Sequence, residues 1–273
     1  SSPASVNVPN TYAAGDEGKV VQDGALVSQT SQSITENGTY DTTTKNSVTV
    51  DVQGGGTSIT DGTEVLTRNS SGQPTTAKHY GTKVYPRAYW NRIATDGPWI
   101  KLTSIEFADT VTELMEYCFA YCAALTSIDV STVVTLGNYA FQNCTALTSL
   151  SFPALTSIGA FAFLACSGLT SLTMPVCVNY SQQRIFSGCT GLQSVQMGSV
   201  GHAVTAVSNL AFQGCTQSTL TITVYTTGDK VDSLLTNIRN TATAATVVFK
   251  ASASTTYNGT SYAADATMLT STV

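Results

Sequence analysis

Leucine returns along the middle of this chain at a nearly constant interval, and the positions behind it alternate between apolar and polar. Aligned on that leucine, Leu102-Thr-Ser-Ile-Glu-Phe, Leu125-Thr-Ser-Ile-Asp-Val, Leu147-Thr-Ser-Leu-Ser-Phe, Leu169-Thr-Ser-Leu-Thr-Met and Leu192-Gln-Ser-Val-Gln-Met lie 23, 22, 22 and 23 residues apart. Alternate side chains of an extended strand point to one face, so the Ile-x-Val type alternation predicts a short strand in each unit. A second mark recurs in register: Cys118-Phe119-x-x-Cys122, Ala140-Phe141-x-x-Cys144, Ala162-Phe163-x-x-Cys166, Ile185-Phe186-x-x-Cys189 and Ala211-Phe212-x-x-Cys215. Phe and Cys three positions apart share one face of a helical or 3₁₀ turn, which predicts such a turn on the wall opposite the strand. A single unit cannot bury its own apolar face, whereas a stack of units buries Leu, Ile and Phe in continuous ladders.

The joint pattern L-x-x-I-x-[VFM]-P…A-F-x-x-C resembles the BspA-like leucine-rich repeats of bacterial surface proteins, from about Leu102 to Leu220. The resemblance implies a leucine-rich-repeat solenoid with a short strand plus a helical or 3₁₀ turn in each repeat of 22–23 residues. It also implies a loose role in adhesion, and it brings no catalytic residues with it. The last full unit departs from the pattern: Leu192 to Leu220 is 28 residues, which predicts an insertion around Ser199 to Ser208. Upstream, Val84-Tyr-Pro-Arg-Ala88-Tyr89 can stand in for the Ala-Phe turn of a degenerate first unit.

The flanks are β-rich. Residues 1–57 form a non-repeating arm, with an Asp23-Gly24 hairpin in Lys19 to Val27 and a second β stretch from Ile34 to Val52. Its Ile-Thr-Glu-Asn-Gly-Thr-Tyr…Val-Thr-Val-Asp-Val run resembles short β segments of phage tail-associated proteins, and Gly54-Gly55-Gly56 makes a flexible joint. Residues 58–101 are read as an N-terminal cap with the degenerate repeat, 102–219 as the repeats, 220–250 as a C-terminal cap and 251–273 as a β-rich tail. In the cap, Val231, Leu234, Leu235 and Ile238 fall at i, i+3, i+4 and i+7 of a helix starting near Thr227 or Asp229. An apolar strand from Thr246 to Phe249 follows, then a hairpin turn at Tyr257-Asn258-Gly259-Thr260.

Composition changes this picture in one respect. Hydrophobic residues make up an ordinary 42%, but charged residues only 11%, so Ser, Thr, Asn and Gln must keep the surface wet. The net charge of −5 is mild and no Lys/Arg stripe could neutralise a phosphate backbone, which argues against nucleic acid. No apolar run approaches the roughly 20 residues of a membrane helix, so no insertion into a bilayer is expected. Between Asp129 and Asp229 the only ionised side chain is Arg184.

Candidate chemistry is sparse. Most of the seven cysteines follow the repeat, which marks a core ladder of free thiols rather than paired metal ligands. His79 and His202 sit in no nucleophile or zinc motif, and Glu113 and Glu116 have no neighbours that would raise a carboxyl pKa. No catalytic residue, metal site or cofactor is expected. The concentrated feature is an aromatic and arginine cluster before the repeats: Tyr80, Tyr85, Arg87, Tyr89, Trp90, Arg92 and Trp99. Trp, Tyr and Arg dominate binding hot spots, but terminal repeats are also routinely atypical, so the cluster reads as either the ligand contact or the solenoid's cap.

The strand face, by contrast, offers small polar pairs such as Thr126 with Asp129, Thr148 with Ser151 and Gln193 with Gln196, which suit weak multivalent contact. The expected function is a non-enzymatic adhesion or recognition module, extracellular or on a cell surface, that meets a protein or glycan. The arm is expected to serve self-association or an assembly partner. The alternative is a structural or host-recognition component of a phage tail, located in the virion.

Overall fold

The computed structural model describes residues 20–22, 25–27, 47–49, 64–71, 73–79, 81–84, 99–107 and 109–272. The stand-in turn at Ala88-Tyr89, the triple-glycine joint and most of the arm lie outside these residues. Of the arm, strands Val20–Gln22, Ala25–Val27 and Ser47–Thr49 form an antiparallel sheet. Gln22 pairs with Ala25, and the Asp23-Gly24 turn expected between them lies outside the described residues.

The repeats coil into a solenoid with three walls rather than the two read from sequence. The first wall carries the anticipated strands. Ser149–Ser151, Ser171–Met174, Ser194–Met197 and Thr221–Thr226 stack in parallel, with Leu150, Leu172, Val195 and Ile222 in one register. Ser104–Phe107 joins Pro74–His79 in the same way, so a further strand precedes the first leucine unit. Between these two sheets the unit of Leu125 makes a single bridge, Ser104 to Ser127. There Asp129 bends the chain by accepting the Ser131 N–H at 2.9 Å. Those hydrogen bonds from Ser131 hold the Asp129 carboxyl below its usual range.

A second wall consists of two-residue parallel strands: Lys83–Val84, Glu113–Leu114, Thr135–Leu136 and Ser157–Ile158, followed by the pair Asn179–Tyr180 and Ala206–Val207. Its inward column is Val84, Leu114, Leu136, Ile158, Tyr180 and Val207, all buried. A parallel column three residues earlier holds Val111, Val133, Leu155, Cys177 and Val204.

The third wall holds the Phe-x-x-Cys segments, and here the expected helical or 3₁₀ turn is only half right. Local i to i−3 bonds are present, for example Cys144 N–H to Phe141 O at 3.2 Å and Gln142 N–H to Tyr139 O at 3.1 Å. Alternate residues instead donate to the next turn: Tyr139 to Ala160 O at 3.0 Å, Phe141 to Ala162 O at 2.8 Å and Asn143 to Leu164 O at 2.8 Å. Left-handed residues make this alternation possible. Tyr139 and Asn143 have φ of 56° and 57°, a conformation no helix contains.

Inside, Phe119, Phe141, Phe163, Phe186 and Phe212 stack with centroids 5.5, 5.7, 6.1 and 4.9 Å apart. The cysteine column lies beside them, every thiol free and buried. Four of the thiols donate to the phenylalanine carbonyl of the preceding turn: Cys144 to Phe119 O at 3.0 Å, Cys166 to Phe141 O at 2.9 Å, Cys189 to Phe163 O and Cys215 to Phe186 O at 3.1 Å. A small apolar side chain with a weak donor fits that place, where Ala would leave a gap and lose the bond. Threonine does the same at the corners: Thr126 and Thr170 hydroxyls donate to Thr103 O and Thr148 O, and Thr132 to Val111 O. Hydroxyl ladders thus bind turn to turn without charge.

The insertion divides. Leu192 to Phe212 is 20 residues where Leu169 to Phe186 is 17, and Phe212 to Leu220 is 8 where Phe186 to Leu192 is 6. The first part makes a turn closed by the Ser199–His202 bridge. The C-terminal end closes as expected: a 3₁₀ turn at Gly228–Lys230 leads into helix Val231–Arg239, which buries Val231, Leu234, Leu235 and Ile238. Strand Thr246–Ala251 then adds in parallel to Thr221–Thr226, and Thr267–Thr272 adds antiparallel to it. Between them, Thr255–Tyr257 and Thr260–Tyr262 form a hairpin with Asn258 and Gly259 both at positive φ, the requirement of a two-residue type I′ turn.

Candidate functional site

Of the aromatic cluster singled out in the sequence, Tyr80, Tyr85, Arg87, Tyr89, Trp90 and Arg92 lie outside the described residues. Trp99 is described and is 5% exposed, packed into the core with its carbonyl accepting from Leu102 N–H at 3.0 Å. Its indole therefore belongs to the described core.

The third wall brings together a different group. The residue two before each core phenylalanine is Tyr117, Tyr139, Phe161, Arg184 and Leu210, and each of these five is half-buried. The first four adopt left-handed backbone, with φ of 56°, 56°, 57° and 50°. Their rings stack along the solenoid axis: Tyr117 on Tyr139 at 4.8 Å and 4°, Tyr139 on Phe161 at 4.7 Å and 3°, and the Arg184 guanidinium 6.0 Å from the Phe161 ring centre. These spacings match the separation of adjacent strands, so the stack follows from stacking the turns. Four residues on, a second left-handed column reads Tyr121, Asn143, Ala165, Gly188 and Gly214. Tyr121 is 41% exposed and its hydroxyl accepts from the Gln142 side chain at 3.1 Å.

Left-handed backbone costs a residue other than glycine about 1–2 kcal/mol. A stacked aromatic pair returns about 0.5–1.5 kcal/mol, and half-burial of a ring a comparable amount. The two sides roughly cancel, so stability alone gives no preference for aromatic rings over glycine in the first column.

Electrostatically the wall is bare. Glu116 flanks the Tyr117 end, and Arg184 stands at the other as the only charge between Asp129 and Asp229. The Arg184 Nε is buried without a hydrogen-bond partner, and the guanidinium forms no ion pair among the described residues. The Tyr139 ring is covered on both faces, so what it shows to solvent is its rim and hydroxyl.

The other candidates do not assemble. Glu113 is ion-paired to Lys83 at 3.0 Å. His202 lies 3.2 Å from the Ser199 hydroxyl, but that hydroxyl donates to Pro175 O at 2.7 Å, so it accepts from the imidazole rather than being deprotonated by it. Among the described residues no three His, Cys, Asp or Glu side chains converge as metal ligands, and no helix is long and apolar enough to cross a membrane.

The first column was open to sequence reading as the residue two before Phe, but its members differ in type, and only the backbone shows that they stack.

Two solved structures are similar to part of this chain. A leucine-rich repeat protein from Bacteroides ovatus is 21% identical with a TM-score of 0.44, over 55% of this chain and 39% of that one. The leucine rich repeat protein of T. pallidum is 22% identical with a TM-score of 0.37, over 51% of this chain and 80% of that one. This chain thus spans about two fifths of the length of the B. ovatus protein. No curated protein matches it. Residues 99–229 match the BspA type leucine rich repeat region in six copies, which agrees with the six leucine-led turns from Leu102 to Leu220.

Proposed function

We propose that this chain is a non-enzymatic recognition module of a bacterial surface or secreted protein, and that it binds its partner through the third wall of the solenoid. The observation that carries this reading is the row Tyr117, Tyr139, Phe161 and Arg184, held half-exposed and in strained backbone on a rigid stack. Tyrosine and arginine are the residues that dominate binding energetics, because they bury much area while losing few rotamers. A fixed spacing along the axis also presents the row as one preorganised strip, which lowers the entropic cost of association.

The test is a screen of the intact chain on protein and glycan arrays, repeated with Tyr139→Gly and Phe161→Gly, in which the loss of the ring is offset by relief of the left-handed backbone. A captured partner should lose at least about tenfold in affinity with either variant, as hot-spot truncations do, while the melting temperature changes little. A partner that binds both variants normally, but is lost when Gln193 and Gln196 on the first wall are replaced by Ala, would overturn the assignment.

A further inference from the structure

The partner's chemistry follows from which parts of the stack remain accessible. Sugars stack on aromatic faces, and the faces of the two middle rings are taken: Tyr139 lies between Tyr117 and Phe161, and Phe161 lies between Tyr139 and the Arg184 guanidinium. What remains is ring rims, and the quadrupole of an aromatic ring makes its rim electropositive. The Tyr139 hydroxyl adds a donor that has no partner among the described residues. At the end of the row stands a guanidinium with no carboxylate on it, in a stretch where Asp and Glu are absent from 130 to 228. Rims, hydroxyl and guanidinium all favour negative charge or an acceptor oxygen.

We infer that the third wall recognises an acidic segment of a protein partner, with a partner Asp or Glu carboxylate seated on Arg184 and neighbouring residues lying along the Phe161–Tyr139–Tyr117 rims. This rests on the proposed use of the third wall and names the partner for it. The planar fork of arginine meets a carboxylate through two parallel N–H donors, which fixes orientation as well as charge. Glu116 at the opposite end sets a polarity: it repels a second carboxylate there, so the acidic group belongs at the Arg184 end. The uncharged Gln182, Gln183 and Ser187 around Arg184 provide no competing anion.

The experiment is an NMR titration of the ¹⁵N-labelled chain at low salt with an acetylated and amidated pentapeptide, Gly-Thr-Glu-Thr-Gly, against its Gln counterpart and an oligoglucuronate. The readouts are the Arg184 Nε–Hε signal and the Tyr139 ring. The Glu peptide is expected to move both, the Gln peptide neither. In Arg184→Ala, half-saturation read at Tyr139 should rise at least about tenfold, and Arg184→Lys should recover only part because the fork is lost. Equal responses to the Glu and Gln peptides, no response to either, or a response to the oligoglucuronate alone would each overturn the inference. An array partner that depends on Tyr139 but not on Arg184 would overturn it too, while leaving the third wall as the binding surface.

Discussion

Raising the pH should unfold this solenoid through its thiols. Burial pushes Cys166 and Cys215 up to about 12 from an ordinary 9.0, and lifts Cys144 and Cys189 well above that ordinary value. Desolvation is the main cause in each case, and the neighbouring thiols of the ladder add to it for Cys144 and Cys189. The unfolded chain begins to lose these protons near pH 9 whereas the native one holds them toward 12. The unfolded state therefore binds fewer protons across that window. Stability is fully present below pH 9 and is lost as pH climbs through it.

At about pH 9.5 each such thiol removes about 0.8 kcal/mol, so the four together remove about 3 kcal/mol. That is a large share of the roughly 5–15 kcal/mol that holds a domain together. Keeping below pH 10 leaves out the tyrosines, including buried Tyr180, whose pKa is lifted in the same sense above 10.0. The assay is urea unfolding followed by circular dichroism, in reductant, at steps from about pH 7.5 to 9.5. Cys166→Ala with Cys189→Ala lowers stability at every pH but should shrink the loss at pH 9.5 by about 1.6 kcal/mol, because two of the titrating thiols are gone. An unchanged slope in that variant, or stability that stays flat to pH 9.5, would refute the buried-thiol reasoning.

Three further outcomes are expected. Phe163→Ala removes the ring stacked between Phe141 and Phe186 and should cost about 3–5 kcal/mol by denaturant titration. Ala165→Gly should do the reverse of an ordinary Gly substitution and stabilise by about 0.5 kcal/mol, since Ala165 sits at φ 58° in the column where Gly188 and Gly214 occur; a lower melting temperature would count against strain there. Gly159→Ala places a Cβ 2.5 Å from the Asn138 nitrogen of the preceding turn, so the turns must part, and a loss of about 1–3 kcal/mol is expected in the same titration.

What could be read ahead of the structure was whatever a periodic side-chain pattern records. The Leu and Ile columns, the Phe and Cys ladder, the presence of an insertion after Leu192 and the four apolar positions of helix Val231–Arg239 all announce themselves by spacing, although the insertion was placed around Ser199 to Ser208 alone and its second part, between Phe212 and Leu220, was missed. The second wall did not, because two-residue strands such as Glu113–Leu114 are too short to show alternation. The left-handed columns were hidden for another reason. Positive φ is read from Gly and Asn, and the first column holds Tyr, Tyr, Phe and Arg. The inter-turn hydrogen bonds of the stacked turns impose that conformation on residues that would avoid it alone. The cluster from Tyr80 to Trp99 was chosen on residue type, and type does not distinguish an indole that belongs to a core from one that meets a partner; for Trp99 the packing does.

The choice between the first and third walls as the recognition surface comes down to which polar groups are already engaged. At the corner that leads into the first wall, three hydroxyls are spent between turns: Thr103 donates to Thr75 O, Thr126 to Thr103 O and Thr170 to Thr148 O. A ligand there would exchange one hydrogen bond for another, at a net gain of at most about 1 kcal/mol per exchange. Near the C-terminal end, Tyr225, Lys250 and Asp265 likewise satisfy one another, with the tyrosine hydroxyl 2.8 Å from the carboxylate and 3.2 Å from the ammonium. Arg184 has no such partner: among the described residues no carboxylate offsets its charge. A partner carboxylate there exchanges hydrogen bonds to water for charge-assisted ones, which are roughly twice as strong as neutral ones. The repeats therefore engage part of their own hydroxyls at the entry to the first wall and leave the third wall with the charge and the ring rims still to be matched.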